Sequence, residues 1–276
     1  MLELVSQRFR RDMWRSVVAD AVDEAGVEVE IFGPVQATAF GDLPELGSLN
    51  QIQGAAEPGA VAGGYLAEAV EWMRIREVDY RVPVADGRPE AAAAEAWLGS
   101  RGYECGNGWV KLVRDAAPPE LPENPEIKIY ELGEDDADGE GLSMIAAEAF
   151  DLPVTVGTLF FSLPQRQGWR CYTAAPASGG EVVSTGSMLI HEGIAQLGPG
   201  TTREDGRGRG FHTALLRRRL LDAAEAGCSL VFVELGEGDP DFLEATCRNL
   251  IRAGFEVAYE SRNWQRPALH PPARTY

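Results

Sequence analysis

Arg207-Gly208-Arg209-Gly210-Phe211-His212 separates a strand-like stretch, Gly193–Thr202 (GIAQLGPGTT), from a helical one, Phe211–Ala226 (FHTALLRRRLLDAAEA). A loop that leads from a strand into a helix can hold a phosphate. The first amides of a helix have no partner of their own, and the helix dipole is positive there. Glycines at 206, 208 and 210 remove the Cβ atoms that would keep an anion away from those amides. Arg203, Arg207 and Arg209 add positive charge in an otherwise acidic chain. The plainer reading is a glycine-rich turn carrying arginines for solubility, which accounts for the composition but not for the position between strand and helix.

Around this loop, 276 residues with 45% apolar and 25% charged content leave room for one large domain or two ordinary ones. The net charge of -18 is spread evenly, with 21 acidic and 11 basic residues up to position 125 and 22 and 14 beyond it. Without a basic half or tail, nucleic acid is a poor partner and a membrane surface has no charge excess to support it, so neither is expected. The acidity solvates the surface and also steers amine-bearing substrates toward it. Cys105, Cys171, Cys228 and Cys247 are widely spaced and form no CxxC pair. Neither a metal site nor a disulfide framework is expected, and the compartment expected is a reducing cytoplasm. The N-terminal MLELVSQRFRRDMWRSVVADAV places Leu2, Val5, Phe9, Met13, Val17 and Val18 at helical spacing among four arginines. That pattern predicts a packed amphipathic helix, not a signal peptide or a membrane span.

Asp115–Glu126 (DAAPPELPENPE) has four prolines in twelve residues and no hydrophobic period, the composition of a linker. It predicts an N-terminal domain over 1–116, a linker over 117–126 and a C-terminal domain over 127–276. Strands are expected at 47–53, 80–84 and 108–113, with helices at 65–77 and 89–100, before the linker. After it come a strand at 127–131, helices at 141–150 and 156–162, strands at 169–174, 182–190 and 193–202, the helix from Phe211, a strand at 230–235, a helix at 241–252 and a strand at 255–260. Mixed strands and helices of these lengths predict an α/β fold with mixed sheets flanked by helices.

The halves resemble each other. Gly47-Ser48-Leu49-Asn50-Gln51-Ile52-Gln53-Gly54 lies without a gap on Gly193-Ile194-Ala195-Gln196-Leu197-Gly198-Pro199-Gly200, and eleven residues later both copies reach an aromatic after glycine, Tyr65 and Phe211. Downstream, Gly102-Tyr103-Glu104 matches Gly254-Phe255-Glu256. Two divergent copies of one α/β unit explain the shared order. They differ at the loop: where the second copy has Arg203 and Arg207-Gly208-Arg209, the first has Glu57 and Val61-Ala62-Gly63. Only the C-terminal copy is equipped for an anionic cofactor.

With these residues assembled, the chain over about 127–262 resembles the GNAT superfamily of acyl-CoA-dependent N-acyltransferases. The family's signature is Arg or Gln, two free positions, Gly, a free position, then Gly or Ala, and Arg207, Gly210 and His212 occupy those places; His212 is larger than the residue expected. Asn249-Leu250-Ile251-Arg252-Ala253-Gly254-Phe255 is similar to a second family segment. The N-terminal half looks like a degenerate copy in tandem. The resemblance implies two parallel strands, ending near Thr202 and Leu235, that splay into a V-shaped cleft for the pantetheine arm of acetyl-CoA, the co-substrate. It implies contacts from Gly200, Thr201, Thr202, Arg207, Gly208, Arg209, Gly210, Phe211, His212, Thr213 and Asn249, no metal, and direct attack by an amine on the thioester. Backbone amides near Gly200–Thr202 would polarise the carbonyl. The family's usual acid, a tyrosine, is replaced here by Leu250. Glu234 is the best-placed base, with Glu192, Asp239 and Tyr259 as lesser candidates; its plainer reading is an acid at a strand end. His191 also falls near the site, and His212 is expected to pack at the helix start.

These features imply an N-acetyltransferase acting on a small-molecule or peptide amine, as a monomer or homodimer. The alternative is an acyl-CoA-binding sensor or scaffold without turnover. A P-loop or Rossmann enzyme is disfavoured, because no GxxxxGK[ST] occurs and the glycines fall as GxGxG without an acidic ribose partner.

Overall fold

The computed structural model describes residues 1–14, 25–133, 163–236 and 240–269, together with positions 144, 145, 147, 148 and 156. The expected helices at 141–150 and 156–162, residues 15–22 of the expected N-terminal helix and the candidate Asp239 lie largely or wholly outside these residues.

The chain begins with helix α1 (Leu2–Trp14) and a hairpin of β1 (Val27–Phe32) and β2 (Val35–Phe40). The hairpin adds to the expected elements. Its turn is Gly33-Pro34, with Gly33 at φ 52°, a left-handed conformation suited to glycine. Then follow β3 (Gln51–Gln53), α2 (Tyr65–Ile75), β4 (Val82–Ala85), α3 (Ala91–Gly99) and β5 (Glu104–Asp115). Residues 116–126 carry no helix or strand. The second half runs β6 (Ile127–Leu132), β7 (Trp169–Pro176), β8 (Ser184–His191), β9 (Ile194–Thr202), α4 (Phe211–Glu225), β10 (Leu230–Leu235), α5 (Pro240–Arg252) and β11 (Glu256–Gln265). From β1 onward the first half therefore repeats the order from β7 onward, element for element.

The strands are not divided between the halves in the way the chain is. One sheet has the order β4-β11-β5-β10-β9-β8-β7-β6, and β1-β2-β3 form a second that meets it, among the described residues, through one parallel bridge, Gln51 to Arg81. Strand β5 of the first half thus lies between β10 and β11 of the second, and β11 lies between β4 and β5 of the first. Each copy lends its last strand to the other. The β5–β11 pairing sets Trp109 opposite Ser261, and the offset that aligns Gly102 with Gly254 also aligns Trp109 with Ser261. An approximate two-fold axis relating the copies passes through that pair.

Burial explains the layers. On one face, α4 and α5 bury Phe211, Leu215, Leu216, Leu220, Ala223, Leu250 and Ala253 against Leu112, Tyr172, Met188, Ala195, Leu197 and Val231 of the sheet. A buried side chain of this kind stabilises by about 1.5–3 kcal/mol, so this cluster dominates the second half. On the opposite face Val5 of α1 packs on Ile194 and Phe232, and Phe9 packs with Trp169, Leu189 and Phe40. The N-terminal helix therefore bridges the copies: it precedes the first but lies on strands of the second.

Candidate active site

The parallel pair β9–β10 runs from Ile194 opposite Leu230 to Leu197 opposite Val233, and there the pairing ends. Beyond it, β9 continues with β8 alone, Gly200 opposite Gly186, Thr201 opposite Thr185 and Thr202 opposite Ser184. The register shift after Gly186 sets the single residue Ser187 of β8 opposite two residues of β9, Gly198 and Pro199, so β9 carries the bulge, and Gly198 adopts φ 141°. A bulge bends its strand and increases twist, which turns β9 away from β10. Arg203 N–H donates to Val183 O, so by strand alternation the amides of Thr202 and Gly200 face the side from which β10 has departed. Pro199 has no amide to offer.

At the far end of this cleft the chain makes a short 3-10 turn, Glu204–Gly206, and enters the glycine loop. Gly208 and Gly210 have φ of 75° and 88°. Among the described residues the amides of 208–213 have no acceptor, and the first to be taken is Ala214 N–H, by Gly210 O. Six amides without an acceptor among the described residues thus lie at the positive end of a fifteen-residue helix. Arg207 and Arg209 have no acidic partner among the described residues, whereas Arg203 is engaged by Glu181 at 3.1 Å and Asp205 at 3.4 Å. The linker's Asn124 closes the loop from outside, its Nδ2 3.1 Å from where a Cβ on Gly210 would stand.

The remaining expected contacts divide. The Phe211 ring is buried in the core, so only its amide belongs to the loop. Asn249 lies on α5 with Nδ2 3.3 Å from His212 Nδ1. Burial, reinforced by the Arg219 charge, pulls the His212 pKa down to about 4, so the ring is neutral and accepts from Asn249. Thr202 Oγ1 is 2.7 Å from Ser184 Oγ, which donates to Thr201 O at 2.7 Å, and the buried Thr201 hydroxyl has no partner among the described residues.

Glu234 sits on β10 one residue beyond the point where the strands part, in the setting of an anchor. Its carboxylate meets Lys111 Nζ at 3.0 Å, Arg10 Nη2 at 3.2 Å and Ser6 Oγ at 3.1 Å. Burial opposes its charge, but Lys111 and Arg10 prevail and hold its pKa at about 2. A carboxylate this acidic takes up a proton poorly near neutrality. Lys111, paired also with Glu3, is itself buried yet raised above its ordinary value by the two glutamates. Tyr259 donates to Glu3 at 2.5 Å, and burial raises its pKa. These groups tie α1 to the centre of the sheet. Glu192 occupies the β8–β9 turn at φ 50°, and His191 Nδ1 accepts from Arg8 at 2.8 Å. Leu250 is 2% exposed in the core.

Ser6, Arg10, Lys111, Ser187 and Arg219 are absent from the sequence reading as residues of this region. A signal existed for the last. Arg219 lies four residues after Leu215 and four before Ala223, on the apolar stripe of α4, where an arginine breaks the pattern.

The equivalent loop of the first half is closed from inside. Glu90 accepts from Gly59 N–H at 2.6 Å and Val61 N–H at 3.3 Å, and Glu57 holds Arg88 through two bonds of 2.6 and 2.8 Å from Nη2. Gly63 and Leu66 amides donate to Gly59 O and Ala60 O.

Among the described residues no helix is long and apolar enough to cross a membrane, and no group of three or more His, Cys, Asp or Glu could hold a metal ion. No family model and no curated protein matches the chain. Solved structures do. A GCN5-related N-acetyltransferase from Kribbella flavida superposes with a TM-score of 0.63 at 16% identity, over 93% of this chain and 98% of that one. One from Sphaerobacter thermophilus gives 0.62 at 18% identity over 87% and 78%. A tandem GNAT protein from the clavulanic acid biosynthesis pathway gives 0.60 at 15% identity over 87% and 79%. The fold is that of the GCN5-related N-acetyltransferases, including a tandem member.

Proposed function

We propose that this chain is an acetyl-CoA-dependent N-acetyltransferase of the GNAT superfamily, in which the C-terminal half binds the acyl donor and a small-molecule or peptide amine accepts the acetyl group. The observation that carries the reading is the pairing of six amides at 208–213, without an acceptor among the described residues, with a cleft where β9 and β10 part. Donor phosphates fit the first, since Arg207 and Arg209 stand beside it with no acidic partner among the described residues. The strand-like pantetheine arm fits the second, since the amides of Gly200 and Thr202 face it.

In this reading the donor supplies an activated thioester, and the chain supplies position and polarisation. The amine nitrogen attacks the carbonyl carbon, a C–N bond forms, and the C–S bond breaks as coenzyme A leaves as its thiolate. Donation from the β9 amides to the carbonyl oxygen lowers the barrier by about 3 kcal/mol when well placed. Water takes the amine's proton. Glu234 anchors α1, and Leu250 leaves the departing thiolate without an acid at that position, which the low basicity of the thiolate permits.

A second reading, an acyl-CoA-binding protein without turnover, is favoured by those same two residues. Calorimetric titration with acetyl-CoA, followed by free-thiol release with a panel of amines, separates them. Binding with release on at least one amine is expected. Saturable binding with no release on any amine supports the second reading, and no binding ends both.

A further inference from the structure

Arg219 is 4% exposed, and among the described residues no carboxylate pairs with it. Asp222, three residues on, is committed to Arg170, Arg218 and the Tyr172 hydroxyl. Burial pulls the guanidinium pKa down to about 10. A buried cation without a counter-ion is costly, so what holds it matters.

Carbonyl oxygens hold it. Nε donates to Leu215 O at 3.2 Å and Nη1 to Ser187 O at 3.1 Å. Ser187 is the β8 residue that faces the β9 bulge at Gly198 and Pro199, and its hydroxyl donates in turn to Gly198 O, on the segment of β9 that has left β10. The space for the guanidinium comes from two glycines facing each other across the strands: a Cβ on Gly186 would stand 3.1 Å from Cζ, and one on Gly200 3.3 Å from Nη1. A bulge strands backbone groups that a ladder would pair, and each left unmet in the interior costs about 1–3 kcal/mol. A planar fork of donors meets such groups from the helix side, where a lysine offers one point charge.

We propose that Arg219 is the positioning residue for the cleft: by filling the hole at Gly186 and Gly200 and gripping Ser187 O, it keeps the bulge formed and β9 turned away from β10. The inference rests on the acyl-donor reading of that cleft for its functional consequence, not for its structural one. The amides that polarise the thioester are those of the strand Arg219 holds.

Two readouts test it on the full chain. The first is hydrogen–deuterium exchange over residues 184–202, which needs no ligand. In Arg219→Met, exchange there rises tenfold or more while β6 and β7 are unchanged; Arg219→Lys gives a smaller rise. Gly186→Ala, which keeps the charge and pushes the guanidinium from the strand away from the cleft, also raises it, and remains informative if Arg219→Met does not fold. The second is the split between turnover and donor affinity, with acetyl-CoA and an amine that supports thiol release. kcat falls tenfold or more while the Kd for coenzyme A changes less than threefold, because the phosphate grip lies at 208–213. Exchange over 184–202 no faster than in the wild type overturns the proposal even if the chain turns nothing over. Equal losses in kcat and affinity overturn the positioning role. Failure of the wild type to bind acetyl-CoA ends the acyl-donor reading and leaves the exchange result to decide Arg219.

Discussion

Two loops in this molecule have the same origin in the fold and opposite contents. Each follows a strand that parts from its parallel neighbour, and each ends at a left-handed glycine from which a helix starts, Gly64 at φ 81° before α2 and Gly210 at φ 88° before α4. The last parallel contact in each copy is also equivalent, Gln51 with Arg81 and Leu197 with Val233. In the second copy the amides from 208 to 213 have no acceptor among the described residues, and arginines stand beside them. In the first, the Glu90 carboxylate takes the amides of Gly59 and Val61, loop carbonyls take others, and Glu57 is bound to Arg88. A helix N-terminus attracts an anion in either case. The first copy supplies a carboxylate to its own loop, at Gly59 and Val61 ahead of the helix, and the second supplies none among the described residues.

The largest test of this contrast is charge reversal. Replacing Arg207 and Arg209 together with glutamate removes two charge-assisted contacts of about 1.5–3 kcal/mol each, so acetyl-CoA affinity is expected to fall on the order of a thousandfold in calorimetry. Substitution at Val61 and Gly63 leaves the affinity unchanged. Equal losses from both would mean that the copies share the ligand.

Acid sharpens the contrast through the residues that lock the second copy. The folded pKa of His212 lies below its ordinary value, so the unfolded chain binds the proton first, and the stability this ring contributes is lost as pH falls from 6.5 toward 4. Glu234 is depressed from 4.5 to about 2, and its contribution is lost over that lower window. Each amounts to on the order of 3 kcal/mol at full loss. Urea unfolding midpoints should therefore decline in two stages, and His212→Asn should flatten the first while sparing the second. A single stage beginning below pH 4.5 in the wild type would remove His212 from the account.

A smaller effect is expected at the plug. Glu90→Gln removes the charge that faces the Gly59 and Val61 amides and destabilises by about 1–3 kcal/mol, measured as a lowered Tm. Because the loop would then lack its internal anion, sulfate should raise the Tm of the variant more than that of the wild type. An identical sulfate response would show that the loop no longer draws anions at all. The smallest change is Gly64→Ala. A Cβ there meets open space, so only the left-handed backbone resists it, at about 1 kcal/mol, with no effect on acetyl-CoA. Gly210→Ala meets Asn124 as well and is expected to weaken the donor.

Much of the fold was legible because its signals are local. The alternation and apolar runs of the second half give strands at the expected places, and β10 matches its expected bounds. The hairpin β1–β2 escaped because Val-Glu-Val-Glu-Ile-Phe is an edge strand with charge on one face, a pattern weak beside the buried runs that follow. The strand exchange escaped because pairing partners leave no trace in either strand: β5 is apolar enough to lie beside β10 or beside β4. The candidate site divides along the same line. Loop residues 207–213 were readable from glycine spacing and position. Glu234 read as a base because its place at the end of β10 is local information, whereas Arg10, Lys111 and Ser6, which make it an anchor, come from distant parts of the chain.

The sequence by itself determined the repeat, the mixed α/β units, the glycine- and arginine-rich loop of the second copy and the absence of positive charge from the first, since all are matters of residue type and spacing within a few turns of chain. Tertiary structure alone decided that Glu90 fills the first loop, that β5 and β11 change places, that Glu234 is held by cations, and that Arg219 fills the hole between Gly186 and Gly200. Each of these depends on which groups meet after the chain has folded, and burial then sets what a charge costs and which partner makes it bearable.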